Sequence, residues 1–370
     1  MNTERLNKLR EQMGIHHLDG IALVPGPNLV YFSGIHAHLS ERPIILFIPR
    51  FAQPAILIPG LEAVKARAAG ISDERILEWN DVEGYGGAFA QAAGLLGLEN
   101  QQLGVESLYM RVLESQALQT AAPHLGIVAA DSAINALRGV KDAAEIAAMD
   151  RAVSAAETAM HNLIPRIRLG MSEKELAGLL TLALLDAGAD APSFDPIVAA
   201  GSNSAIPHAV PTGNTVREGE LLLFDWGALV DGYASDITRT FAIGEIDPEL
   251  RRIYEIVRLA NEAGKAAVRP GVHAEEVDAA ARKLITEAGY GDQFTHRTGH
   301  GLGMEVHEEP SLVAGHKAPL QVGNVFTVEP GIYLEGRGGV RIEDDVLVTT
   351  DGYRSLTTFP RELITIEAHG

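Results

Sequence analysis

Asp225, Asp236, His300, Glu329 and Glu343 lie in the second half of a 370-residue chain and form a set of four carboxylates and one imidazole. Four carboxylates brought to one place repel one another and lose hydration, so a strongly positive partner is needed to keep them ionised. A pair of divalent metal ions is the economical partner, and dinuclear sites of this composition carry out hydrolysis. The residue types therefore point to a metal-dependent hydrolase.

The local sequence around each acid supports convergence. In LLLFDWGALVDGYASDITRTFAI, Asp231-Gly232 is a two-residue hairpin signal. With that turn, 230 faces 233, 227 faces 236 and 225 faces 238. Asp225 and Asp236 then become diagonal neighbours on one face, roughly 7–8 Å apart at Cα. That spacing suits two ions about 3.5–4 Å apart. Gly227, beside them, is expected to leave room for the ions. In FTVEPGIYLEGRGGVRIEDDVLV, two β-like runs flank a Gly-rich connection, and Glu329 and Glu343 are expected to face each other in the same way. His300 sits between Gly299 and Gly301, which favour an extended or tightly turned backbone and close approach to a ligand.

Other chemistries fit less well. His296 and His300 have the i, i+4 spacing of a zincin helix, but Gly299 and a missing Glu break that motif. Gly84-Tyr85-Gly86-Gly87 lacks the Lys-Ser/Thr of a phosphate loop, and no serine nucleophile elbow is present. With no cysteine, thiolate metal sites and cysteine nucleophiles are excluded.

The elements that must position these residues are legible as patterns. Residues 3–13, 84–97 and 109–120 read as helices. Short apolar runs at 21–24, 44–48, 55–58, 104–106 and 127–130 read as strands. This alternation predicts an α/β domain with a central sheet. A boundary falls near 131–141, giving an N-terminal domain over 1–135 and a catalytic domain over 136–370. In the second domain, helices are predicted from Asp142 to Leu163, from the Ser172/Glu175 capping box to Ala187, from Asp247-Pro248 to Val268, and over 274–288. Strands follow each pair. Two helices then strands, repeated, suggest two similar α+β units packed around one shared site.

These motifs resemble those of the pita-bread metallopeptidases, a family that includes methionine aminopeptidase, aminopeptidase P and prolidase. The resemblance covers residues 142–365 and rests on FDWG, SDITRTF, GHGLG, TVEPGIY and VRIEDD, which carry the four acids and the imidazole in order. An α/β domain ahead of the catalytic one is similar to the proline-specific branch. The implied fold is an α/β N-terminal domain plus an α+β pita-bread catalytic domain with a pseudo-twofold internal repeat. The implied metal ligands are Asp225, Asp236, His300, Glu329 and Glu343. The implied catalytic residues are Glu329, His208, His307, His296 and Arg341. The implied reaction is hydrolysis of Xaa-Pro bonds by a hydroxide bridging two metals, with Glu329 as proton shuttle, His307 at the oxyanion and His208 at the proline end. An oxygen-rich shell with a single histidine favours Mn²⁺ and permits Co²⁺, Fe²⁺ or Zn²⁺.

Xaa-Pro dipeptidase (prolidase) activity is the leading expectation, and aminopeptidase P action on longer peptides is the alternative. A non-catalytic binding module and a creatinase-like hydrolase of another C–N bond rank lower, because all five ligands are kept. Ser311 stands where many prolidases carry an arginine that holds a dipeptide carboxylate, so Arg297 or Arg341 is expected to take that role. Similar proteins imply a homodimer.

Charge and hydropathy narrow the partners. With 30 Lys and Arg against 49 Asp and Glu, the net charge is −19, which disfavours nucleic acid. No run approaches the roughly 20 apolar residues of a membrane span. The charged start MNTERLNKLREQM has no apolar signal core, so a cytoplasmic protein is expected. Small peptides with proline at the second position are the expected substrates.

Overall fold

In the computed structural model, which describes residues 1–367, the alternating runs of the first part build one mixed six-stranded sheet. Its order is Ile76–Trp79, Ala55–Pro59, Ile45–Pro49, Gly20–Leu23, Gln102–Val105, Gly126–Ala129. Ile45–Pro49 pairs antiparallel with both its neighbours, and the remaining pairs are parallel. Strands such as Gly20–Leu23 and Ala55–Pro59 are buried along their whole length, which is why they read as continuous apolar runs rather than alternating ones. Helices Gly86–Leu96 and Val112–Ala121 bury Phe89, Ala92 and Leu118 against that sheet.

Three helices lie where the periodicity gave no expectation: Pro27–Ser33, Ala63–Ala68 and Asp131–Arg138. The first is set up by Pro27 at its first helical position and stopped by Gly34 at φ 73°. The last is strongly amphipathic, burying Ala133, Ile134 and Leu137. The chain divides into two compact units, Met1–Arg138 and Gly139–Gly370.

The second unit repeats one pattern. Helices Ala143–Leu163 and Glu173–Asp186 precede the paired strands Leu221–Trp226 and Ile237–Ile243; helices Pro248–Ala267 and Ala274–Glu287 precede Val325–Val328 and Asp344–Thr349. Capping boxes at Asp142/Glu145 and Ser172/Glu175 start the first helix pair. Asp247 with Pro248 starts the third helix.

The helices pack on the outer faces of the hairpins. Phe224 and Trp226 point into a core shared with helix Ala143–Leu163, and Trp226 Nε1 donates to the Ala156 carbonyl at 2.9 Å. Asp225, between them, necessarily points the other way, because strand side chains alternate. Among the described residues no helix is long and apolar enough to cross a membrane.

Candidate metal centre

The first hairpin keeps the register set by its turn. Asp231 (φ 51°) and Gly232 (φ 78°) both take positive φ, the I′ pattern. Val230 pairs with Tyr233, and Asp225 pairs with Thr238. Gly227 is therefore opposite Asp236, and Asp225 and Asp236 are diagonal neighbours. The second hairpin does the same: Gly331 pairs with Arg341 and Val328 with Asp344, so Glu329 falls opposite Glu343.

Both ladders are interrupted at the acids. The Asp236 N–H donates to Asp345 Oδ2 (3.1 Å), the Glu329 N–H to the Thr298 carbonyl (2.7 Å) and the Glu343 N–H to the Thr238 carbonyl (3.1 Å). The Thr238 hydroxyl donates back to Glu343 Oε2 at 2.6 Å, stitching the two hairpins together. From the helix behind, Asn261 donates its amide to the carbonyls of Val328 (2.8 Å) and Ile342 (3.3 Å), the residues just ahead of the two glutamates. Behind Glu343, Arg239 is nearly sealed from solvent and donates to Asp344 Oδ1 (2.6 Å) and to the Glu343 carbonyl (2.6 Å).

His300 arrives on the short strand Gly299–Gly301. Its glycines serve the chain rather than a ligand. A Cβ on Gly299 would stand 1.9 Å from the Thr327 carbonyl oxygen, and one on Gly301 would stand 2.3 Å from that of Glu309. Gly227 likewise leaves no space for ions, since its Cβ would meet the Ser235 carbonyl oxygen at 1.8 Å and the Ser193 hydroxyl at 2.2 Å. These glycines let backbones close on one another and so aim the acids; the expectation of room for ions at Gly227 is corrected.

The five side chains converge on a cavity of about 530 Å³, also lined by His208, His296, Arg297 and His307. Ligand atoms of Asp236, His300 and Glu343 all lie within 4.8 Å of one another. His300 Nε2 is 3.6 Å from Asp236 Oδ2 and 3.4 Å from Glu329 Oε1. Its Nδ1 faces the Gly301 carbonyl at 3.2 Å, which assigns the proton to Nδ1 and leaves an Nε2 lone pair toward the acids.

The electrostatics are those of mutually repelling carboxylates crowded into one site. Burial, then repulsion from Glu343 and Asp225, pushes the Asp236 carboxyl far up; burial and Glu329 do the same to Glu343. Glu329 is pushed up to about 7, chiefly by burial, with Arg341 opposing. Burial and the neighbouring His307 bring His300 down to about 3, so the imidazole is neutral and free to ligate. Asp225 Oδ1 is buried with no hydrogen-bond partner. An orphaned carboxylate oxygen, three further carboxylates and a neutral imidazole fit divalent cations.

A second layer holds this set. Arg341 donates from Nη2 to Asp225 Oδ2 (2.6 Å), from Nε to the Thr238 hydroxyl (3.0 Å), and from Nη1 to the Tyr333 hydroxyl (2.9 Å) and the Pro207 carbonyl (3.1 Å). Tyr333 Oη lies 2.8 Å from His296 Nε2, while His296 Nδ1 faces the Arg297 carbonyl at 2.7 Å. Burial and Arg341 lower His296 to about 4, so Tyr333 donates to a neutral ring.

His307 stacks edge-on to His300, with centroids 4.3 Å apart. Its neighbour Glu308 is pinned by Lys141 at 3.0 Å, both side chains being sealed from solvent. Tyr333, Thr238 and Asn261 escaped the sequence reading. Tyr333 had a signal: Gly331 and Gly339 lack side chains where a Cβ would come within 2.6 and 2.7 Å of its side-chain atoms.

Fold and site together define a metallopeptidase. Residues 147–350 match the model of metallopeptidase family M24, and residues 5–140 match the creatinase/prolidase N-terminal domain. The chain belongs to metallopeptidase family M24. It is 37% identical to the Xaa-Pro dipeptidase of Lactobacillus delbrueckii subsp. lactis over 98% of both chains. Recombinant prolidase from Thermococcus sibiricus superposes with a TM-score of 0.91 at 36% identity, covering 99% of each chain. The X-Pro aminopeptidase from Thermotoga maritima superposes with 0.83 at 31% identity, covering 96% of this chain and 100% of that one.

Proposed function

We propose that this chain is a prolidase-like metallodipeptidase that hydrolyses Xaa-Pro bonds with two divalent ions held by Asp225, Asp236, His300, Glu329 and Glu343. The observation that carries this reading is the convergence of four carboxylates, three of them buried, on one neutral imidazole, with Asp225 Oδ1 left unpartnered. When bound, such ions lower the pKa of a water molecule and polarise the scissile carbonyl.

The chain's own residues supply the rest. Glu329, 3.4 Å from His300 and 3.9 Å from His296, is the proton carrier: it accepts the proton of the attacking water and returns it to the departing proline nitrogen. His307, whose pKa is lowered by partial burial and by Arg297, donates to the developing oxyanion. His208 lines the cavity and positions the proline end. Arg341 holds Asp225 in place, which leaves the substrate carboxylate to Arg297. That guanidinium lines the cavity and donates to the Ser311 hydroxyl at 3.1 Å. An arginine there suits a dipeptide, whose free carboxylate it would pair bidentately.

The test is turnover of the Mn²⁺-reconstituted protein on Xaa-Pro dipeptides against Xaa-Pro-Yaa peptides. Dipeptide cleavage with little tripeptide cleavage is the expected result. Efficient cleavage of the longer peptides would make the protein an aminopeptidase P instead, and activity confined to a non-peptide C–N substrate would overturn both.

A further inference from the structure

The loop that presents His208 to the cavity has little hydrophobic anchorage. Ile206 and Val210, on either side of His208, are 54% and 77% exposed, and only the small Ala209 is buried at the tip. Polar contacts fix the loop instead, and six of them converge on one side chain. Glu173, at the first position of helix Glu173–Asp186, is fully buried. Its Oε1 accepts from the Ala200 N–H (2.8 Å), Asn203 Nδ2 (3.0 Å) and Asn214 Nδ2 (3.3 Å). Its Oε2 accepts from the Thr212 N–H (2.8 Å), the Thr212 hydroxyl (2.6 Å) and Asn203 Nδ2 (3.2 Å). Two of these partner residues precede His208 in sequence and two follow it, so one carboxylate closes the base of the loop. Arg341 holds the middle through the Pro207 carbonyl at 3.1 Å.

We propose that Glu173 is a positioning residue for His208: its buried carboxylate gathers both arms of the 200–214 loop and so sets where the imidazole meets the substrate. The idea rests on the reading of His208 given above and extends it to a residue that touches neither substrate nor ligands. Charge is essential to the device. Each oxygen faces three donors, so in Glu173→Gln the amide NH₂, turned either way, faces donors and cannot replace the lost acceptor. The surroundings keep that charge in place. Burial would raise the carboxyl, yet the hydrogen bonds from Ala200, Thr212 and Asn203 hold it below the usual range. The helix N-terminus favours the same charge.

The experiment compares Glu173→Gln, His208→Ala and the double variant, each reconstituted with Mn²⁺. Dipeptide turnover and bound metal by elemental analysis are both measured. The expected result is a loss of about 10²-fold in kcat/KM for Glu173→Gln, the scale of a misplaced catalytic group. The double variant should be no worse than His208→Ala, with metal content unchanged throughout and partial rescue by Glu173→Asp. Losses that multiply in the double variant, or metal lost with Glu173→Gln, would overturn the proposal, since the effect would then not run through His208. Unchanged turnover in His208→Ala would overturn it together with the role given to His208, whereas a defect there with none in Glu173→Gln would overturn the positioning role alone. Should Glu173→Gln fold poorly, Thr212→Val removes one donor from the same carboxylate. The milder loss expected there must likewise vanish in the His208→Ala background.

Discussion

Arg341 Nη2 lies 2.6 Å from Asp225 Oδ2, and the other oxygen of that carboxylate is buried with no partner. The arginine therefore offsets one of the four negative charges while leaving the second oxygen of that carboxylate free of any hydrogen bond. A lysine could not reach Asp225, Thr238, Tyr333 and Pro207 together, because it lacks the planar fork. Arg341→Lys should keep the fold but lower both metal occupancy and kcat/KM, the latter by about 10²-fold, in the range seen when a ligand's outer partner is removed. Elemental analysis alongside kinetics checks this; full occupancy with normal turnover would contradict it.

Asp236 sits among the other carboxylates and within ligand distance of His300. Asp236→Ala should abolish metal loading and turnover together. Turnover retained without metal would sink the assignment of the centre.

Metal removal should make stability depend on pH in a defined direction. In the folded apoprotein Glu329 is raised from 4.5 to about 7, so between those values the folded chain holds a proton that the unfolded chain has released. The stability that this proton contributes is complete below pH 4.5 and is lost as pH rises through about 7. Asp236 and Glu343 are raised in the same sense. Glu329→Gln, which removes one charge from the cluster, should therefore stabilise the chelated protein at about pH 8 and have little effect near pH 4.5. Melting temperatures in chelator at the two pH values decide the matter, and a variant no more stable than the parent at the higher pH would refute it.

Arg297 is held by Ser311 and faces the cavity. Arg297→Met should raise KM for Xaa-Pro dipeptides about tenfold or more, the worth of one charge-assisted carboxylate contact, with a smaller effect on kcat. Tripeptides, whose carboxylate lies one residue further on, should be affected less. Equal effects on both substrates would remove Arg297 from the carboxylate role.

Much of the fold was readable because its signals are local. Capping boxes at Asp142 and Ser172 and the Pro248 start mark helices from a few adjacent residues. The Asp231-Gly232 turn set a register in which Asp225 and Asp236 share a face, and the structure keeps it. Helices Pro27–Ser33 and Ala63–Ala68 were missed because seven- and six-residue helices carry too few turns to show a period. Gly227 was read as space for ions because its spacing says that something comes close but not what; only the packed strands identify the Ser235 carbonyl.

By itself the sequence determined the kinds of atoms available for chemistry and which pairs of them a hairpin would present together. Those follow from side-chain type and from the two-residue period of a strand. Only the tertiary structure decided that the two hairpins meet, through the Thr238–Glu343 contacts, and that Arg341 is spent on Asp225, Thr238, Tyr333 and Pro207. It also decided that Glu173, lying 35 positions before His208 in the numbering, closes the loop that carries it. Such contacts join residues far apart in sequence, and their strength comes from burial, a property no single segment possesses before the chain has packed.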